Sequence, residues 1–211
     1  MLDALVRRAR ALPADSRAVL GIAGAPGSGK STLAARLVEA VGPSAAWLPM
    51  DGFHLADAAL DRLGLRDRKG APETFDGWGY LALLHRLRAE TDHPVYGPDF
   101  ERTLEQPLAG SIAVDPGVRL VVTEGNYLLV EREPWPLVRR ALTEVWYVEV
   151  DEAVRRRRLV ARHVAFGKPA DAAEAWVTAV DDPNAALVAR GRSAADLVVD
   201  LTAVDLTRPR S

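Results

Sequence analysis

The chain has 211 residues, of which 48% are hydrophobic and 27% charged, and its formal net charge is −2. That balance points to one α/β domain with a lid or insertion, and it argues against nucleic acid or an anionic membrane as partner. The absence of cysteine excludes disulfides, thiolate metal sites and a cysteine nucleophile. No apolar run reaches the length of a membrane span, and a cytoplasmic location is the expectation.

Leu2 to Leu12 has an amphipathic pattern with Arg7, Arg8 and Arg10 among apolar residues, a helix closed near Pro13 rather than a secretory signal. Ala18 to Ala23 follows as a buried strand. The next stretch, GAPGSGKS from Gly24 to Ser31, fits G-x-x-x-x-G-K-[ST] at every fixed position, and Thr32 to Val41 continues with helical spacing. Strand, glycine loop and helix together make a phosphate site. Gly24, Gly27 and Gly29 let the backbone turn tightly and approach a phosphate. The loop N–H groups and the helix N-terminus attract the anion. Lys30 can reach the β- and γ-phosphates and the Ser31 hydroxyl can hold Mg²⁺. The expected nucleotide-binding set is Gly24, Ala25, Gly27, Ser28, Gly29, Lys30, Ser31 and Thr32, with ATP and Mg²⁺ as ligands.

A second apolar strand, Ala45 to Met50, runs into Asp51. Ligands of open α/β sheets bind at the carboxyl ends of strands, so Asp51 is a candidate base; a turn aspartate before glycine is the other reading. Ala56 to Leu63 reads as a short helix and Arg66 to Glu73 as a loop. Asp76 reads as the N-cap of a helix over Trp78 to Ala89. His93 to Gly110, with Pro94, Pro98 and Pro107, reads as irregular, either a functional or a solvated loop. Arg119 to Glu124 is a third strand ending in an acid, the pattern of a Mg²⁺-associated carboxylate. Glu144 to Val150 is a fourth strand, with Val145 and Tyr147 on one face and Trp146 and Val148 on the other. Asp151 caps a helix that puts Arg155, Arg158 and Arg162 on one face, a solvated basic face or a source of an arginine finger. A helix over Ala170 to Val180 is broken at Asp181-Asp182-Pro183-Asn184, with Ala185 to Arg190 another turn or two. Ala195 to Asp200 is the fifth strand and Thr207 to Ser211 a loose tail. Alternating strands and helices predict a three-layer α/β/α fold around a mainly parallel five-stranded sheet.

GAPGSGKST, PMDGFH, KGAPETFD, VYGPDFERTLEQP, VVTEGNYLL, RRRRLVARHVAFGK, VDDPNAALV and ADLVV, from about Val19 to Val199, resemble the P-loop kinases grouped with uridine kinase, phosphoribulokinase and type I pantothenate kinase. Within that group the chain is most similar to short bacterial nucleoside/nucleotide kinase-family and fructose-import kinase-like proteins. The resemblance implies one P-loop kinase domain over 1–211, with a helical lid at about 155–170 and acceptor-binding segments at about 51–110. It implies that Asp51 is the base for an acceptor hydroxyl, that Glu124 lies near Mg²⁺ and substrate, and that Arg162, with Arg158, closes on the triphosphate. Ser31, Glu124 and Asp51 become the metal-associated set. His54, Asp76, Tyr96, Arg102 and Asn126 become acceptor-wall residues, and Asn184 lies near the base of ATP. Two features depart from uridine kinases: His163 follows the lid arginine where an aspartate is usual, and VYGPDFER lacks a histidine. The implied reaction is ATP-dependent phosphorylation of a small-molecule hydroxyl; sugar, nucleoside, glycerate and pantothenate-like acceptors stay open. A regulatory nucleotide-binding protein or ATPase without kinase activity is the alternative, and a homodimer is left open. D-x-x-G occurs at Asp61 to Gly64 and Asp76 to Gly79 without a preceding buried strand, and no N-K-x-D signature accompanies it, so a guanine switch is not expected.

Overall fold

The computed structural model describes residues 1–12 and 17–202. The expected helix end near Pro13 and the expected tail from Thr207 lie outside the described residues. In chain order the strands are β1 (Ala18–Gly24), β2 (Ala45–Pro49), β3 (Val95–Glu101), β4 (Gln106–Val114), β5 (Leu120–Gly125), β6 (Glu144–Glu149) and β7 (Leu197–Asp200). The helices are α1 (Leu2–Arg10), α2 (Lys30–Val41), α3 (Asp57–Leu63), α4 (Gly77–Ala89), α5 (Trp135–Ala141), α6 (Glu152–Ala165), α7 (Ala170–Trp176) and α8 (Asp182–Ala189). Five strands form one sheet in the order β2-β5-β1-β6-β7, and every pairing is parallel. The mainly parallel sheet expected from the sequence is thus wholly parallel.

Alternation along the strands divides the apolar residues between two layers. Val19, Ala23, Val121, Val145 and Tyr147 pack with α4 and α5 through Leu81, Leu84, Leu87, Trp135 and Val138. Leu20, Ile22, Val122, Trp146 and Val148 pack on the other face with α1 and α2 through Leu5, Val6, Leu33 and Leu37. The two faces expected for β6 are the two observed. With both faces covered, β1 is buried along its whole length, and each large aliphatic side chain so buried stabilises by about 1.5–3 kcal/mol.

Three segments differ from the sequence expectation. The irregular stretch expected over His93 to Gly110 is an antiparallel hairpin, β3 with β4. Its prolines suggested a loop, but a two-stranded ribbon has open edges, where a missing N–H costs no ladder bond. Pro98 sits at the register shift between Gly97 and Asp99. Second, α5 was not expected. It is only seven residues long and carries a proline in its first turn, too short for helical periodicity to register. Third, Asp181 to Asn184 does not break the helix. Val177–Asp181 forms a π-helical turn that leads directly into α8, with Asp182 N–H bonded to the Val177 carbonyl. Pro183 is the second residue of α8, directly after the wider π-turn.

One close approach fixes the hairpin over the sheet edge. A Cβ on Gly52, just after β2, would lie 2.3 Å from the Pro98 carbonyl oxygen. Only a glycine lets these two backbones touch. Gly52→Ala is expected to destabilise the protein by about 1–3 kcal/mol through overpacking, read from urea unfolding.

Candidate active site

The phosphate loop joins the carboxyl end of β1, the central strand, to α2. Gly29 caps α2 with no side-chain hydrogen bond, so the first-turn N–H groups are left for a ligand. Helix α6 packs directly onto this loop. A Cβ on Gly27 would lie 2.8 Å from Leu159 and 3.0 Å from the Arg155 carbonyl oxygen. Arg155 is buried and donates to the Pro26 carbonyl at 3.3 Å, and to the carboxylates of Glu152 and Asp182. Arg158 donates to the Ser28 carbonyl at 3.4 Å. Asp182 also bonds Arg156. Asp151 caps α6 as expected, accepting from Val154 N–H. Half of the basic run therefore braces the loop rather than facing water.

Beside β1, the strands β5 and β2 end in acids. In the parallel register Glu124 pairs with Ile22 on one side and Pro49 on the other. This sets Glu124 next to the start of α2, where it accepts from the Ser31 hydroxyl at 2.9 Å. Burial pushes the Glu124 carboxyl up to about 7; Asp51 adds to the rise, while Lys30 and the Ser31 hydrogen bond oppose it. Burial lowers the Lys30 ammonium, against the attraction of Glu124 and Asp51. Asp51 lies in the short 3₁₀ turn Met50–Phe53 after β2 and receives Arg102 from the hairpin at 3.2 Å. Arg162 is solvent-exposed but crowded; crowding lowers its guanidinium, Asp181 raises it, and it feels Arg102, Asp51 and Glu124.

A cavity of about 410 Å³ opens among these groups, walled by Ser31, Trp47, Pro49, Asp51, Asp99, Phe100, Glu101, Arg102, Ile112 and Glu124. A second cleft of about 360 Å³ lies on the other side of the loop, between Ala25, Ser28, the end of β6 and the α8 residues Asp182, Ala185, Ala186 and Ala189. Four buried side-chain polar atoms among the described residues have no hydrogen-bond partner: Ser28 Oγ, Trp47 Nε1, Glu124 Oε2 and Asn126 Oδ1. Three belong to the walls of the two cavities, and Asn126 follows Glu124 by two residues. Buried polar groups are ordinarily paired, so this clustering marks where ligand atoms belong. The residues fit Mg²⁺: Ser31 Oγ, the unpartnered Glu124 oxygen and Asp51 are hard oxygen donors. The described residues hold no group of three or more acidic, His or Cys side chains that would bind a metal by themselves. One or two carboxylates completed by phosphate oxygens is the usual Mg²⁺ arrangement.

The remaining expected residues divide. His54 packs between Phe75 and Phe100, at 4.0 and 4.7 Å between ring centroids. Its Nδ1 donates to the Asp51 carbonyl at 2.8 Å, which fixes the turn carrying Asp51, and burial lowers its pKa. Asp76 caps α4, its Oδ1 accepting from Gly79 N–H at 2.8 Å. Tyr96 is 58% exposed. Strand alternation turns it to the face opposite Gly97 and its partner Ile112, which lines the cavity. Asn184 is absent from the walls of the second cleft, which α8 lines through Asp182 and the alanines instead; the unbroken helix sets that face.

The family model for the phosphoribulokinase/uridine kinase family matches residues 19–208. The chain belongs to this family. A Schizosaccharomyces pombe protein named "Putative uridine kinase" is 36% identical over 189 residues, covering 82% of this chain and 78% of its own. An Aspergillus versicolor "ATP-dependent kinase-like protein" is 38% identical over 152 residues, 68% of this chain and 88% of its own. The solved structure described as "putative fructose transport system kinase" from Silicibacter sp. TM1040 aligns with TM-score 0.87 and 36% identity, over 94% of this chain and 98% of that one. The three-layer P-loop kinase fold is common to both.

In this family member the motif stretches also do structural work. Phe75, Tyr127 and Trp135 pack on one another and Phe53 packs on Tyr80, and all five rings lie in the same core layer. The Tyr127 hydroxyl donates to the Gly70 carbonyl. Sequence reasoning gave Asp182, Trp47, Asp99 and Glu101 no site role, and it named Arg155 only as one of three arginines on a helix face. Asp182 stood in VDDPN and Asp99 with Glu101 in VYGPDFER, but only the folded hairpin and helix show what they face.

The raised Glu124 carboxyl makes stability depend on pH. In the window between its ordinary value and about 7, the folded state holds a proton that the unfolded state has lost. Its stabilising contribution is therefore complete below that window and gone above about pH 7. Comparing urea unfolding at about pH 5 and about pH 7.5, the wild type is expected to lose about 1–3 kcal/mol relative to Glu124→Gln, which lacks the titration.

Proposed function

We propose that the protein transfers the γ-phosphate of ATP to a hydroxyl of a small molecule bound in the cavity beside β2 and β5. The observation that carries this reading is the convergence of Ser31, Glu124 and Asp51 on that cavity, with Lys30 close enough to feel both carboxylates and one Glu124 oxygen without a partner in the protein. The acceptor oxygen attacks the γ-phosphorus as the bond to the bridging oxygen of ADP breaks, and Asp51 takes the hydroxyl proton. Arg102 and the His54-braced turn hold the Asp51 carboxylate at the cavity wall. The Arg102 pair is half-exposed, so it contributes orientation more than stability. Lys30 and the first-turn N–H groups of α2 take up charge on the triphosphate; Arg158 and Arg162 belong to a lid segment, about 155–170, that completes this field. Mg²⁺, held through Ser31 and Glu124, would neutralise charge on the phosphates when bound. In this reading the acceptor is held by segments within about 51–110, the hairpin above all.

The test is acceptor-dependent ADP release across a panel of sugars, polyols, ribonucleosides, glycerate and pantothenate, with Lys30→Ala as the blank. Asp51→Asn is expected to lower kcat by about 10²–10⁴-fold while ATP still binds by calorimetry. Unchanged turnover in that variant removes Asp51 from the role of base. ATP binding with no acceptor-dependent release from any compound would favour a regulatory nucleotide-binding protein.

A further inference from the structure

We infer that the acceptor is an uncharged polyhydroxy compound, and that Asp99 and Glu101 on the hairpin exclude acceptors bearing a carboxylate or phosphate. This rests on the kinase reading of the cavity. Four carboxylates line its walls, those of Asp51, Asp99, Glu101 and Glu124, against one guanidinium, that of Arg102. Arg102 is already bonded to Asp51 at 3.2 Å. The other nearby cations are committed elsewhere. Lys69, 5.6 Å from the Phe100 ring centroid, is bonded to Asp57 at 2.8 Å. Lys30 and Arg162 are the groups assigned above to the triphosphate. An acceptor with its own negative charge would meet uncompensated carboxylates; a neutral hydroxyl compound meets acceptors for its O–H groups.

The two hairpin acids are built to stay in place. Asp99 is fixed through one oxygen by the Phe100 N–H at 2.7 Å, and Glu101 through one oxygen by the Thr103 N–H at 2.8 Å. The bonds from Thr103 hold Glu101 below the usual carboxylate range. Each has a second oxygen with which to receive a hydroxyl. Trp47 and Phe100 line the same cavity and supply apolar ring surface for the C–H faces of such a molecule. Donors for an anion are scarce on these walls, whereas acceptors for hydroxyls are plentiful.

The experiment compares matched acceptors: glycerol with glycerate, pantothenyl alcohol with pantothenate, and fructose with gluconate and fructose 1-phosphate. The expected result is kcat/KM about tenfold higher for the neutral member of each productive pair, since fixed carboxylates disfavour an anion placed beside them even where water screens them. Asp99→Asn with Glu101→Gln keeps a carbonyl oxygen for the Phe100 and Thr103 N–H groups, so the hairpin should fold. It is expected to narrow the neutral-to-anionic ratio about tenfold with KM for ATP unchanged. Glu101→Gln alone, checked by thermal melting, is expected to give part of the same shift. An anionic member used as well as its neutral counterpart overturns the inference and leaves the kinase standing. An unmoved ratio in the folded variants overturns the role of Asp99 and Glu101. Absence of acceptor-dependent turnover from every pair, with ATP still bound, removes the kinase reading and this inference with it.

Discussion

The site depends on a carboxyl group held out of water. Glu124 is buried at the end of a strand that is itself buried on both faces, and a charge there is costly unless something answers it. Ser31 answers one oxygen and Lys30 lends its field, but the second oxygen has no partner. The parallel sheet is what makes this arrangement available. Because β2, β5 and β1 run the same way and lie side by side, their carboxyl ends deliver Asp51, Glu124 and the phosphate loop to one edge. No antiparallel neighbour interrupts that edge, so one ligand can touch all three.

Around this centre the protein uses two kinds of brace. On the nucleotide side the brace is ionic. Arg155 is buried against Pro26 of the loop and paired to Glu152 and Asp182, and removing one partner of such a buried pair leaves an unanswered charge. On the side of β2 and β5 the brace is aromatic. Phe53, Phe75, Tyr127 and Trp135 lock the segments that carry Asp51 and Glu124 to α4 and α5. The ionic brace ties the loop to α6 and α8, elements at the other side of β1. The two halves meet through the Ser31–Glu124 hydrogen bond and through Val188 of α8, which packs in the same core layer as the aromatic rings.

Much of this was legible in the residues. The phosphate loop, the strand-end acids, the N-caps Asp76 and Asp151, and the division of β6 between two faces all follow from local pattern, because each depends on neighbours a few positions away. What was not legible depends on partners far along the chain. The hairpin looked like a loop because its prolines mark edges, and nothing local announces that a ribbon has edges to spare. Tyr96 looked like a wall residue until strand pairing turned it outward. Asn184 and Asp182 are two positions apart, and only the continuity of α7 through the π-turn into α8 decides that Asp182 faces the cleft. Helical spacing set Arg155 apart from Arg156 and Arg157 but not from Arg158 and Arg162; burial against Pro26 separates it from those.

The contact between Gly52 and Pro98 has a mechanical meaning. Two backbones that touch with no side chain between them cannot slide independently. Asp51 and Arg102 are also bonded across the same seam. The turn that carries Asp51 and the hairpin that roofs the cavity thus behave as one plate, seated on the edge of a rigid sheet. Lifting the hairpin away from the Asp51 turn would have to break both the backbone contact and the ion pair across that seam.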